Sequence, residues 1–167
     1  MKLLVTGHAR HGKDTVCGIL KAEFGLTFVS SSLFAVEKVA RPYLASRGVT
    51  YATLKECYAD RVNHRKLWHD AIYEYNTPDR TRLARELFSR FDVYCGARNN
   101  QEYHTIRGSN LFDVSIWVER LQLPSEDVES MQIRREHCDL ILDNSTTVTG
   151  LRIRTIDIYH KIVSALR

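Results

Sequence analysis

No stretch of the chain approaches the roughly 20 uninterrupted apolar residues that a membrane-spanning helix needs, so no membrane-embedded role is expected. Cysteine is sparse and scattered. Cys17, Cys57, Cys95 and Cys138 show none of the close pairing of a zinc knuckle or redox couple, and they read as reduced thiols of the interior. Internal repeats and low-complexity tracts are missing, and Gly48 and Pro78 mark loops rather than linkers between domains. Nor is there a dense block of one charge: 24 Lys and Arg stand against 20 Asp and Glu, giving +4, with seven histidines. That mild basic bias suits an anionic ligand, a nucleotide as well as DNA, but falls short of a dedicated nucleic-acid binder.

What is present is an ordinary globular composition, 44% hydrophobic and 26% charged, in 167 residues, enough for one domain to bury a core without staples. Candidate strands at Lys2–Thr6, Leu26–Ser30, Asp92–Ala97, Phe112–Val118 and Leu140–Leu142 alternate with helical segments. Several are nearly continuous in apolar or small residues, Leu3-Leu4-Val5 for example, the pattern of a sheet covered on both faces. The expected fold is α/β: a three-layer αβα sandwich around a parallel five-stranded sheet, in one domain over residues 1–167. Residues 31–90 carry no strand and read as a helical insertion, with helices at about Leu33–Ser46, Tyr51–Tyr75 and Asp79–Phe91. Residues 121–137, which contain Pro124-Ser125-Glu126-Asp127, read as a short helical flap, and Leu151–Leu166 as a closing amphipathic helix. The apolar run Met1–Thr6 is short and enters a glycine loop, so it reads as a buried first strand rather than a signal peptide, with the cytoplasm as expected location.

Gly7-His8-Ala9-Arg10-His11-Gly12-Lys13 has the G-x-x-x-x-G-K spacing of a phosphate-binding loop, and it lies between a strand and a helix. Glycines at both ends let the backbone wrap with its N–H groups inward, with Arg10 and His11 in the same cradle. The following helix aims its positive N-terminus at a β-phosphate, and Lys13 reaches the β- and γ-phosphates. The expected cofactors are ATP and Mg²⁺. Where a Ser or Thr hydroxyl usually helps to hold the metal, this chain has Asp14, then Thr15. A carboxylate can take Mg²⁺ directly or through water with Thr15 in support, and either side chain can instead cap the helix's first turn. No N-K-x-D motif, and no D-x-x-G after a strand, accompanies the loop, which argues against a GTPase-like switch.

The run Gly12-Lys13-Asp14-Thr15 resembles the loop of phage deoxynucleoside monophosphate kinases and, more distantly, of animal-type phosphomevalonate kinases. Asp92-Val93-Tyr94-Cys95-Gly96-Ala97-Arg98, followed by Glu102, is similar to that group's strand ending in G-x-R. Ile116–Arg120 is similar to the strand leading into its flap, and Glu136–Asn144 to its last strand before the adenine loop. The resemblance implies ATP phosphates at Gly12–Thr15, an acceptor phosphate at Arg98 with Glu102 nearby, and flap arginines at Arg120, Arg134 or Arg135. It further implies adenine near Asn144, residues 31–90 as the acceptor-binding lobe, and the host cytoplasm as location for a phage-encoded protein.

In an open parallel sheet ligands collect at the carboxyl ends of strands, and Arg98, Arg120 and Asn144 each follow a candidate strand. Asp92 and Asp113 start theirs and are not taken as metal-binding acids. Arg61, His64, Arg65 and Trp68 fall at helical spacing, a face that can hold a nucleotide with Trp68 stacking the base; a core tryptophan beside a solvated basic face gives the same pattern. Ser31 and Lys38 follow the second strand, where an acceptor would be met, although serines there also cap helices. Arg134 and Arg135 suit closure over a transferring phosphoryl group, or an ordinary charged surface.

A phosphate acceptor needs placement more than deprotonation, whereas an alcohol needs a positioned carboxylate base. Serines rather than acids end the second strand, and the lobe has a basic surplus. The reading is therefore ATP-dependent phosphorylation of a deoxynucleoside 5′-monophosphate, a small-molecule nucleotide partner. Kept open beside it is a kinase for a hydroxyl acceptor, such as a hydroxymethylated pyrimidine in phage DNA, with Asp14 as base and nucleic acid as partner. Oligomeric state is open, a homodimer included.

Overall fold

Leu3 and Val5 of the first strand point to one side of the sheet and Leu4 to the other, and all three are fully buried. The computed structural model describes residues 1–167. In chain order it contains β1 (Leu3–Thr6), α1 (Lys13–Phe24), β2 (Phe28–Ser30), α2 (Ser31–Ala35), α3 (Arg41–Ala45), α4 (Leu54–Ala59), α5 (Arg65–Tyr75), α6 (Arg82–Phe88), β3 (Val93–Cys95), α7 (Asn100–Gly108), β4 (Val114–Glu119), β5 (Leu140–Asp143) and α8 (Val148–Ala165). The strands form one sheet in the order β2-β3-β1-β4-β5, every neighbouring pair parallel.

Alternation along the strands builds two cores. Leu3, Val5, Cys95, Ile116, Val118 and Leu142 pack under α1 and α8. On the other face Leu4, Tyr94 and Trp117 pack under α6 and α7, with Met131 and Ile133 of the flap completing the cover. The three-layer α/β arrangement with five parallel strands is the one expected, each strand within two residues of its expected bounds. No helix is long and apolar enough to cross a membrane.

Between β2 and β3 the chain makes a helical lobe with small cores of its own, one of them Val36, Ala40, Leu44, Cys57 and Trp68. Ser30 caps its first helix, its hydroxyl accepting from Leu33 N at 3.3 Å. Residues Val36–Ala40 form a π-turn linking α2 to α3. Pro42 lacks the N–H that would bond the carbonyl four residues back, and the widened turn relieves that position.

Three helical expectations need correction. The run Tyr51–Tyr75 is not one helix: a 3₁₀ turn at Asp60–Val62 interrupts it. The Asp60 carboxylate organises that break, accepting from Tyr51 Oη at 2.8 Å and Asn63 Nδ2 at 2.5 Å, with His64 at 3.2 Å. The flap at 121–137 holds no α-helix, only a 3₁₀ turn at Arg135–His137. Its backbone donors are engaged elsewhere, Glu126 N on His8 and both Gln132 N and Ile133 N on the Arg98 carbonyl. Conversely, α7 was not expected; Asn99 caps it by accepting from Glu102 N at 2.9 Å.

Glu102 of α7 is 7% exposed and takes a hydrogen bond from the Tyr94 hydroxyl at 3.0 Å. Burial pushes its carboxyl up to about 7, the Tyr94 bond offsetting only part. Between the unfolded carboxylate value and about 7, the folded chain holds a proton that the unfolded chain has released, so stability falls as pH rises through that window. Glu102→Gln should remove this loss, on the order of 3 kcal/mol at most. Thermal unfolding from pH 5 to 8 should show a flatter Tm profile for the variant; parallel profiles would mean that Glu102 does not titrate in this range.

Candidate functional site

The segments that follow β1, β3 and β4 meet at the carboxyl edge of the sheet. After β1 the chain turns at Gly7, φ 138°, so close to β4 that a Cβ there would collide with the Val118 carbonyl. Gly12, φ 98°, ends the loop and opens α1, and a Cβ on it would strike the Asn144 amide. Arg10 sits between them at φ 65°, its side chain outward. Lys13 folds back across the loop, its Nζ donating to the His8 carbonyl at 2.6 Å. Burial lowers the lysine's pKa, and neighbouring Arg98 lowers it further.

Arg98, after β3, reaches the same place. Its Nη1 donates to Glu126 Oε1 at 2.8 Å and to the Ser130 carbonyl at 3.0 Å. The other oxygen of Glu126 accepts from the backbone N–H of Ala9, inside the phosphate loop, at 2.5 Å. Burial favours the protonated acid, but the Arg98 and Ala9 hydrogen bonds outweigh it and hold the Glu126 carboxyl below the usual range. A flap carboxylate thus occupies donors that a phosphate would use.

Two histidines fasten the flap to the loop. His11, 3% exposed, accepts from Arg120 N on Nδ1 at 3.0 Å and points Nε2 at the Pro124 carbonyl at 3.4 Å. His8 accepts from Glu126 N at 3.1 Å and meets Trp117 edge to face at 5.2 Å. The flap, the loop and the end of β4 enclose a cleft of about 420 Å³, lined by His8, His11, Trp117, Arg120, Arg134 and Arg135 among others. Arg120, Arg134 and Arg135 are all exposed; Arg135 pairs with Glu119 at 3.5 Å.

Asp14 and Thr15 lie exposed on the first turn of α1. The thiol of Cys95, at the end of β3, donates to Asp14 Oδ1 at 3.7 Å. No three His, Cys, Asp or Glu side chains converge into a metal cage. One accessible carboxylate with a neighbouring hydroxyl, beside a phosphate cradle, fits Mg²⁺, which commonly combines one or two carboxylates with phosphate oxygens. Asp92 and Asp113 lie at the opposite edge, Asp92 bonded to Thr27 and Asp113 to Lys2.

Other sequence expectations meet different surroundings. Asn144 stands beside the loop as expected, but its amide donates to the His11 carbonyl at 2.9 Å and braces the loop instead of facing open space for a base. Trp68 is 5% exposed within the lobe core, so it cannot stack on a nucleobase. The shared face with Arg61, His64 and Arg65 is lost at the Asp60–Val62 break; Arg61 lies over the Tyr58 ring, His64 pairs with Asp60, and Arg65 is exposed. Lys38 pairs with Glu86 at 3.6 Å, and Glu102 belongs to the core beneath the site. Ser31 Oγ donates to the Gly96 carbonyl at 3.3 Å, joining the lobe to the segment after β3. Glu126 is a site residue that local sequence does not signal, since it meets Ala9 across 117 positions, whereas His8 lies within the glycine-loop motif itself.

No protein-family profile and no curated protein matches the sequence. Among solved structures, the fold is similar to a gluconokinase from Sinorhizobium meliloti 1021, with TM-score 0.53 and 13% identity over 99% of this chain and 94% of that one. It is similar to TT1252 from Thermus thermophilus, with TM-score 0.57 and 17% identity over 96% of each chain. A dephospho-CoA kinase from Campylobacter jejuni matches with TM-score 0.53 and 14% identity over 96% of each chain. With a glycine loop joining β1 to α1 at the carboxyl edge of a parallel five-stranded sheet in the order β2-β3-β1-β4-β5, the chain shares the α/β fold of these solved kinases.

Proposed function

We propose that this chain is an ATP-dependent kinase that phosphorylates a deoxynucleoside 5′-monophosphate to the diphosphate. The observation that carries the reading is the anion cradle: loop N–H, Lys13 and Arg98 converge around a carboxylate at the carboxyl edge of the sheet. In this reading the inner limb of the loop and the N-terminus of α1 take the β-phosphate, and Lys13 leaves the His8 carbonyl to bridge the β- and γ-phosphates. Arg98 neutralises the phosphoryl group in transit, and Arg120, Arg134 and Arg135 close over it from the flap rim. Asp14 with Thr15 would hold Mg²⁺, whose contribution is to screen the charge on the phosphate oxygens.

Charge distribution supports an anionic acceptor. Residues 31–90 contain eleven Lys and Arg against seven Asp and Glu, so the lobe beside the cradle carries the whole net charge of +4. Ser31, Lys38, Arg61 and Arg65 belong to that lobe, with Ser31 bonded to the segment after β3 that carries Arg98. A hydroxyl acceptor is the second reading, because a carboxylate, Glu126, does stand at the loop. Both of its oxygens are already hydrogen-bonded and its basicity is reduced, which favours the phosphate acceptor.

Transfer of labelled γ-phosphate from ATP to the four deoxynucleoside monophosphates, alongside DNA containing hydroxymethylated pyrimidine, should give labelled diphosphate. Label in the DNA alone would replace this reading with the hydroxyl kinase. Lys13→Ala should lower kcat by on the order of a hundredfold or more while leaving the circular dichroism spectrum unchanged. Full activity in that variant would rule out the loop as the ATP site. Arg98→Ala should lower kcat or raise the acceptor KM by more than it changes ATP affinity, whereas a loss confined to ATP affinity would assign Arg98 to the donor alone.

A further inference from the structure

Glu126 is held by groups suited to phosphoryl oxygens. Its side chain is only 14% exposed, and its two oxygens divide between the Ala9 N–H at 2.5 Å and the Arg98 guanidinium at 2.8 Å. The backbone that delivers it is fixed on both sides. His11 holds the Pro124 carbonyl, His8 takes the Glu126 N–H, Asp127 takes the Ser130 N–H at 2.7 Å, and Arg98 takes the Ser130 carbonyl. This is a directed contact, unlike that of a loose surface side chain.

Ala9 lies four residues before Lys13, on the limb of the loop that leaves β1 rather than the limb that enters α1. The helix N-terminus addresses a β-phosphate, so the outer limb, with Arg98 opposite, addresses the terminal phosphoryl group. Resting on the reading of this loop as an ATP site, we infer that Glu126 is a built-in surrogate for the terminal phosphoryl group of the donor, holding the flap on the loop and Arg98 in reserve until a triphosphate displaces it. No covalent bond changes; one anion replaces another on the same donors. Carboxylate and γ-phosphate repel each other and cannot share the cradle, so triphosphate entry lifts Glu126 and hands Arg98 to the phosphoryl group. A diphosphate leaves the outer limb to Glu126. The contact therefore weakens ATP binding selectively and couples it to release of Arg98. The depressed carboxyl pKa agrees with a permanent anion on these donors rather than a proton acceptor.

The test is calorimetric titration of the full chain with Mg·ATP and Mg·ADP, comparing the natural sequence with Glu126→Gln and Glu126→Ala. Both variants should bind ATP roughly tenfold more tightly, with ADP affinity within about twofold of the natural chain, since one charge-assisted contact no longer competes. ADP affinity also serves as the control for folding, and the near-isosteric Gln variant decides the matter where the Ala variant loses it. Unchanged ATP affinity in Glu126→Gln overturns the surrogate, as does loss of phosphoryl transfer at unchanged ATP affinity, which would make Glu126 a base. A natural chain that binds neither nucleotide removes the proposed kinase function itself, whereas one that binds both and transfers phosphate confines any failure to Glu126.

Discussion

Everything at the carboxyl edge of the sheet follows from how closely the backbone after β1 lies against β4. At Gly7 there is no room for a Cβ beside the Val118 carbonyl, and at Gly12 the space is taken by the Asn144 amide. Both residues also have positive φ, so sterics and conformation make the same demand. The close pass draws the strand ends into register around one small volume. It lets Asn144, after β5, brace the loop from one side while the flap, after β4, presses on it from the other.

That volume is dominated by like charge. Lys13 and Arg98 lie near enough for the arginine to disfavour the lysine's proton, and burial acts in the same direction. Two neighbouring cations in a partly dry pocket call for an anion. Glu126 meets the need from within the chain, and the flap backbone is organised to bring it there, which is why that segment has contacts with the loop instead of helical bonds of its own. The helical lobe carries the chain's excess positive charge, while the remainder balances to zero. The positive potential is therefore concentrated on the lobe.

The parts of this molecule that depend on near neighbours in sequence were legible, and those that depend on distant partners were not. Buried parallel strands announce themselves as continuous apolar runs, so the sheet could be anticipated, and the loop's glycines and lysine lie within seven positions. The break at Asp60 escapes periodicity because it is made by side-chain contacts that a helical pattern does not encode. Pro124-Ser125-Glu126-Asp127 looks locally like a helix start, yet residues more than a hundred positions away claim its groups. For Trp68 and Glu102 the type of residue was informative but its environment was not: an aromatic ring or a carboxylate suits a core or a ligand equally until burial is known. The Asn99 cap, with Glu102 at its third helical position, was a local sign of α7 that could have been used.

The chain has two tryptophans, and they divide between its halves. Trp68 is sealed inside the helical lobe among Val36, Leu44 and Cys57. Trp117 lies at the end of β4, its indole against the His8 ring of the phosphate loop. Intrinsic fluorescence is thus a two-channel reporter without added labels: with Trp68 replaced by phenylalanine, emission follows the loop and flap, and with Trp117 replaced, it follows the lobe. Motions of the loop-and-flap side and of the helical lobe, usually merged in one signal, are separable here because of where two indole rings came to rest.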